Sequence, residues 1–307
     1  MIRPPALRPG ARVALVAPAG PLGDGAVDRA VGRVRAWGFE AVVGEHARKR
    51  HGYLAAPDRE RAADFNAALR DDSVDAIWCL RGGYGVMRIL DEIDWPALAR
   101  RPRPVIGFSD NTALHLAIRR HGVVSFHGPH PATEELTPFS ADGLLRALTV
   151  PDPVGILPFP GDGGWARTIT GGVAEGPLVG GNLSLVASTL GTPYAIQAEG
   201  ALLFLEEVGE AAYRIDRLLS QLRLAGVLGS AAGIVIGGIT EVPDAGAEHV
   251  PAIDEVLADL LGDLGIPVAC GFPFGHVDDN WTLPVGVRAR LDAGAGTLEL
   301  LEAAVAA

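Results

Sequence analysis

Pro104-Val105-Ile106-Gly107-Phe108-Ser109-Asp110-Asn111 opens as a short apolar strand and ends on polar residues that favour the start of a helix. Asn111 to Arg120 carries that helix. Upstream the same alternation repeats. Arg12 to Ala17 reads as a strand, and Asp24 to Trp37 as a helix with Val27, Val31 and Val34 on one face. Glu40 to Gly44 is a second strand, and Pro57 opens a helix through Arg70 with a solvated face at Arg59, Glu60, Arg61 and Asp64. Ala76 to Leu80 is a third strand, which runs into Arg81-Gly82-Gly83-Tyr84-Gly85. Val123 to His127 completes the series. Strands alternating with helices in this way predict a parallel sheet covered on both faces.

The texture changes between Val150 and Gly172. Pro151, Pro153, Pro158 and Pro160 precede Gly161, Gly163 and Gly164 with no helical or strand period, as in a linker. Beyond it, Asn182 to Leu190, Ala212 to Ala225 and Ile253 to Leu264 read as helices, and Ala201 to Leu205 and Gly233 to Gly237 as strands. Asn280 to Leu301 alternates and contains Gly294 and Gly296, which predicts a β-hairpin. The fold class expected is therefore α/β. A doubly wound, Rossmann-like parallel sheet spans 1–150, a Pro/Gly-rich linker 151–172, and a smaller α/β domain 173–307.

Composition narrows the function classes. The chain has 307 residues, 48% of them apolar, enough for one large or two medium cores. A net charge of −11 with no Lys/Arg-rich run excludes nucleic-acid phosphates as an expected partner. Arg3, Arg8 and Arg12 before Val13 to Ala17 imitate a signal peptide, but this apolar run is shorter than the usual ~7–15-residue h-region. It is expected to be a core strand of a cytoplasmic protein with no membrane span. Cys79 and Cys270 each lie in or beside an apolar run and are expected as buried free thiols. No Cys/His cluster has metal-ligand spacing, so no metal is expected.

Ser109 has a functional address, because ligands of open α/β sheets bind beyond the carboxyl ends of strands. A sharp strand-to-helix turn lifts its Oγ clear of the sheet and frees the following N–H groups for a developing oxyanion. The plainer reading is a helix cap at Ser109 or Asp110. The usual hydrolase elbow is Gly-x-Ser-x-Gly, and Asn111 stands at the second glycine. Arg81-Gly82-Gly83-Tyr84-Gly85 allows close backbone approach, as an oxyanion or anion site requires, although a tight structural turn asks for the same glycines. In the second half Glu206-Glu207 ends an apolar strand and His276 lies in a loop closing another. His127 and His130 are rival bases near the first sheet.

Taken together, these motifs resemble the LD-carboxypeptidase family of serine peptidases, which includes muropeptide carboxypeptidases and microcin-immunity peptidases. The resemblance runs from Val16-Ala17-Pro18 through Arg81 to Gly85, Gly107 to Asp110, His127-Gly128-Pro129, Gly180 to Leu183 and Leu205-Glu206-Glu207. It continues with Tyr213-Arg214-Ile215-Asp216-Arg217 and ends with His276 before Leu283-Pro284-Val285-Gly286. Where the family usually has Glu-Asp, this chain has Glu206-Glu207. The resemblance implies a Ser-His-Glu triad of Ser109 as nucleophile, His276 as base and Glu206 orienting the imidazole, in an interdomain cleft. Backbone N–H groups of Gly83, or an adjacent glycine, and of Asp110 would form the oxyanion hole. It further implies a peptide substrate, a murein tetrapeptide losing its terminal D-alanine, no cofactor, and a homodimer. The alternatives are a peptidase that inactivates peptide-nucleotide antibiotics, for which Trp165 is the candidate stacking residue, and a non-catalytic two-domain binding protein.

Overall fold

A computed structural model describes residues 1–161 and 166–307; Gly163, Gly164 and Trp165 of the Pro/Gly stretch lie outside them. Two units divide the chain: one comprises 1–152, 282–285 and 303–307, the other 153–281 and 286–302.

The first unit is built on strands β1 (Arg12–Val16), β2 (Glu40–Val43), β3 (Ala76–Cys79), β4 (Val105–Gly107) and β5 (Ser125–His127). They pair in parallel in the order β5-β4-β3-β1-β2. The crossovers carry helices Ala26–Ala36, Asp58–Arg70, Trp95–Arg100 and Thr112–Arg120. Central strands are apolar throughout because both faces are covered: all four residues of β3 are buried, and Leu15 of β1 is fully buried. Each such side chain contributes about 1.5–3 kcal/mol of burial. Trp78 stacks on Trp37 at 5.4 Å while its Nε1–H donates to the Pro129 carbonyl at 2.9 Å, so its one polar atom is satisfied. In a 2-1-3-4-5 order the strand sequence reverses between β1 and β3, and the crevice beyond their carboxyl ends is the expected ligand site.

The second unit holds β6 (Gly155–Ile156), β7 (Arg167–Thr170), β8 (Val173–Asn182), β9 (Leu202–Val208), β10 (Gly233–Thr240) and β11 (Val268–Cys270). Of the three strands that follow, β12 (Leu283–Val285) belongs to the first unit, and β13 (Arg288–Asp292) and β14 (Thr297–Leu300) to the second. The second sheet runs β6-β14-β13-β8-β9-β10-β11-β7, with β8 to β11 parallel and the flanking strands antiparallel.

Two sequence expectations meet a different arrangement. The stretch read as a linker contributes β6 and β7 to opposite edges of the second sheet, and its prolines fall outside both strands. Within the stretch read as a terminal hairpin, β13 and β14 do form that hairpin, but β12 pairs antiparallel with β5 in the first unit's sheet. Cys79 and Cys270 are buried free thiols, and burial pushes both upward in pKa. Among the described residues no helix is long and apolar enough to cross a membrane.

Candidate active site

Ser109 follows β4 in a one-turn 3-10 segment, Ser109–Asn111, that leads into helix Thr112–Arg120. Its φ of +61° is left-handed, which costs a non-glycine residue on the order of 1 kcal/mol and marks a turn held by its surroundings. Those surroundings are specific. His115, from the following helix, donates from Nε2 to the Gly107 carbonyl at 2.7 Å, and its Nδ1 lies 2.9 Å from Ser125 Oγ. Complete burial pushes it down to about 4, so it stays a neutral strut beneath the end of β4. Asn111 Nδ2 donates to the carbonyls of Phe108 at 3.1 Å and Arg81 at 3.2 Å, tying the serine turn to the glycine turn. That tie explains why the second elbow position holds Asn here.

The glycine turn after β3 lies directly against the serine. A Cβ at Gly82 would stand 2.7 Å from Ser109 Cβ and 2.9 Å from its Oγ, so only glycine fits there. Gly20, after β1, donates its N–H to the Gly82 carbonyl at 3.1 Å, which sets this contact at the β1/β3 reversal. Gly83 follows at φ +110°. Arg81 turns away: its Nη1 donates to the Pro21 carbonyl at 2.7 Å and so buttresses the turn.

Asp110 is 2% exposed, and its Oδ2 accepts the Val86 N–H at 2.9 Å. Burial pushes its carboxyl up to about 6, against the pull of N–H groups from Val86 and Gly85 and the charge of Arg61. An unperturbed Asp titrates near 3.8, so between about 4 and about 6 the folded chain keeps a proton the unfolded chain has released. Stability from this group is full below about 4 and is lost as pH rises through about 6. Asp110→Asn cannot ionise, so its stability relative to wild type should rise by roughly 1–3 kcal/mol across that window. Urea unfolding midpoints at pH 4 and pH 7 check this; a pH-independent difference would contradict it.

The rival histidines of the first unit are otherwise engaged. His130 Nε2 accepts the Phe108 N–H at 3.3 Å and lies 3.0 Å from Asn111 Nδ2, with its ring stacked on Phe108. His127 is fully buried, with its ring against those of Phe108 and His115.

In the second unit, Glu206 ends the apolar run of β9, and its Oε2 lies 2.7 Å from His276 Nδ1. The carboxylate side chain is fully buried while the imidazole is 23% exposed. Burial raises the pKa of Glu206, opposed by the hydrogen bond and charge of His276. A buried acid on Nδ1 holds that nitrogen as the N–H and leaves Nε2 to take a proton. The approach is set by Gly275, where a Cβ would meet Glu206 Oε2 at 2.6 Å. Asn280 Oδ1 accepts the Gly275 N–H at 3.1 Å, and Thr240 Oγ1 donates to the His276 carbonyl at 3.2 Å. The loop is thus pinned on both sides of the histidine.

Glu207 serves a different end. Its Oε2 accepts Ser184 N–H at 2.8 Å and Ser184 Oγ–H at 2.6 Å, and its Oε1 accepts Asn182 Nδ2–H at 2.9 Å. It caps the helix Leu183–Ser188. Of the residues singled out in the sequence, Glu206 and His276 meet in one unit, and Ser109, Asp110 and the glycine turn in the other. Asn111 and His115 brace the serine turn; Asn111 stands out in the sequence only as the departure from the elbow's second glycine, and His115 has no local signal beyond a helical pattern.

Sequence models of the LD-carboxypeptidase N-terminal and C-terminal domains match residues 13–128 and 175–291. A Streptomyces coelicolor protein named as a carboxypeptidase is 43% identical over 308 residues, covering 98% of this chain and 96% of its own. The crystal structure of muramoyltetrapeptide carboxypeptidase from Oxalobacter formigenes superposes with a TM-score of 0.82 at 33% identity, covering 94% of this chain and 98% of that one. The Microcin C7 self-immunity protein MccF of Escherichia coli is 27% identical over 287 residues, covering 83% of this chain and 82% of its own. With both domain models matched in order and relatives aligned along nearly its full length, the chain belongs to the LD-carboxypeptidase family of serine peptidases.

Proposed function

We propose that the protein hydrolyses the amide bond that releases terminal D-alanine from murein tetrapeptides, through a triad of Ser109, His276 and Glu206. The observation that carries this reading is the His276–Glu206 pair, a fully buried carboxylate on the Nδ1 side of a partly exposed imidazole. In the reaction, His276 Nε2 takes the Ser109 Oγ proton as Oγ attacks the scissile carbonyl. The tetrahedral oxyanion accepts hydrogen bonds from the N–H groups of Asp110 and Gly83. Protonated His276 then gives its proton to the leaving amine of D-alanine. Water repeats the sequence to free the acyl-serine. Glu206 stabilises the imidazolium through both steps. Recycling of wall fragments is cytoplasmic chemistry, so we expect the protein there, and a homodimer is the assembly expected of the family.

The test is a substrate panel: LD-tetrapeptides carrying meso-diaminopimelate or lysine, a DD-pentapeptide, and an aminoacyl-nucleotide. Mass loss equal to one alanine from an LD-tetrapeptide is the expected result. Cleavage of the aminoacyl-nucleotide alone would replace this reading with the antibiotic-inactivating one.

A further inference from the structure

Arg61 is a charged residue on a helix face that the sequence reads as solvated, yet it is 2% exposed. Its Nε donates to the Ala56 carbonyl at 3.0 Å, and its Nη2 pairs with Asp58. Its Nη1 donates to the carbonyls of Pro18, after β1, and of Gly85, after β3, the latter at 2.9 Å. Asp110 Oδ2 accepts the Val86 N–H at 2.9 Å. The Gly85 carbonyl and the Val86 N–H belong to one peptide group. Two buried charged side chains therefore grip the two ends of a single peptide plane, one from helix Asp58–Arg70 and one from the residue after the serine.

The grip is close. At Gly85, φ is +134°, and a Cβ would meet Arg61 Nη1 at 2.8 Å and Leu54 Cδ2 at 2.6 Å. At the other end of the turn Gly82 abuts Ser109, so Gly83 is suspended between two fixed points. Stability alone is a poor reason for such an arginine. Removing a guanidinium from water costs several kcal/mol, and an apolar residue of similar volume would fill the space as well or better. What an apolar residue cannot do is fix the direction of a carbonyl.

We propose that Arg61 is a positioning residue for the reaction, which with Asp110 orients the Gly85–Val86 peptide and so holds the oxyanion turn against Ser109. This rests on the function proposed above. Misplacing an oxyanion donor by about 1 Å costs on the order of 10²-fold in rate. In the full-length chain, Arg61→Gln should lower kcat by roughly 30–100-fold with KM within about threefold. Arg61→Lys keeps the charge but offers no fork, and should recover part of the loss, to about 10-fold below wild type.

The rate at which a fluorophosphonate labels Ser109 should fall in parallel, because that reaction uses the same serine and oxyanion hole without the natural peptide. A folded Arg61→Gln enzyme with wild-type kcat overturns the proposal, as does a loss confined to KM. If Arg61→Gln does not fold, Arg61→Lys decides, and a wild-type kcat there overturns it. If the wild type releases D-alanine from no peptide, the substrate reading has failed, and the labelling rate decides. A roughly 30-fold slower rate in Arg61→Gln then supports the clamp, and an unchanged rate overturns it. A wild-type Ser109 that resists labelling altogether overturns the clamp together with the nucleophile.

Discussion

Ser109→Ala is expected to lower kcat for D-alanine release by about 10⁴–10⁶-fold while the protein stays folded. Alanine keeps Cβ, the atom nearest the space a Cβ at Gly82 would occupy, and loses only Oγ, so the close approach of the glycine turn survives. It must adopt the same left-handed φ of +61°, which is no harder for alanine than for serine by more than a few tenths of a kcal/mol. The loss should therefore be chemical. Hydrolysis falls back to what the oxyanion donors and substrate binding supply without a nucleophile. Time courses of released D-alanine, paired with thermal unfolding of both proteins, make the comparison. A folded variant with full activity would remove Ser109 from the mechanism.

His276→Ala should lower kcat by a similar 10⁴–10⁶-fold, because serine and base act as a unit and either deletion disables both. Glu206→Gln should cost about 10³–10⁴-fold, since an amide can still hydrogen-bond the imidazole but neither fixes its tautomer nor stabilises the cation. The informative contrast is with the first unit's histidines. His130 is an acceptor for the Phe108 N–H and stacks on that ring, so its replacement should act through the shape of the serine turn. His127 is fully buried. Activity surviving in His276→Ala but abolished in a folded His127→Ala or His130→Ala would reassign the base.

Much of the first sheet was legible because its strands are buried on both faces and therefore apolar end to end, as in Ala76 to Cys79. Ser109 and the glycine turn were legible because turn chemistry is local. Glu206 and His276 are joined in the sequence only by the family resemblance, because no local pattern links residues 70 positions apart. Strand β8 escaped because Gly176, Pro177, Gly180 and Gly181 dilute its apolar alternation, although it pairs with β9 over five residues. β6 and β7 escaped because they are short edge strands set in a Pro/Gly-rich stretch that reads as linker. β12 resembles part of a hairpin locally, and only its pairing with β5 reveals which sheet it serves. Arg61 was legible as a charge on a helix but not as a buried one, since burial depends on what lies opposite.

The placement of β12 bears on how the chain matures on the ribosome. Antiparallel pairing sets Leu283 against His127, so the first sheet lacks its edge partner until Leu283–Val285 emerges. At ~5–20 residues per second, some ~150 residues separate the two strands, and the β5 edge waits roughly 8–30 s. An uncovered strand edge is a template for pairing with other chains. Synthesis speed through the second unit thus sets how long a nascent molecule carries an unfinished edge, a vulnerability absent once the chain is released.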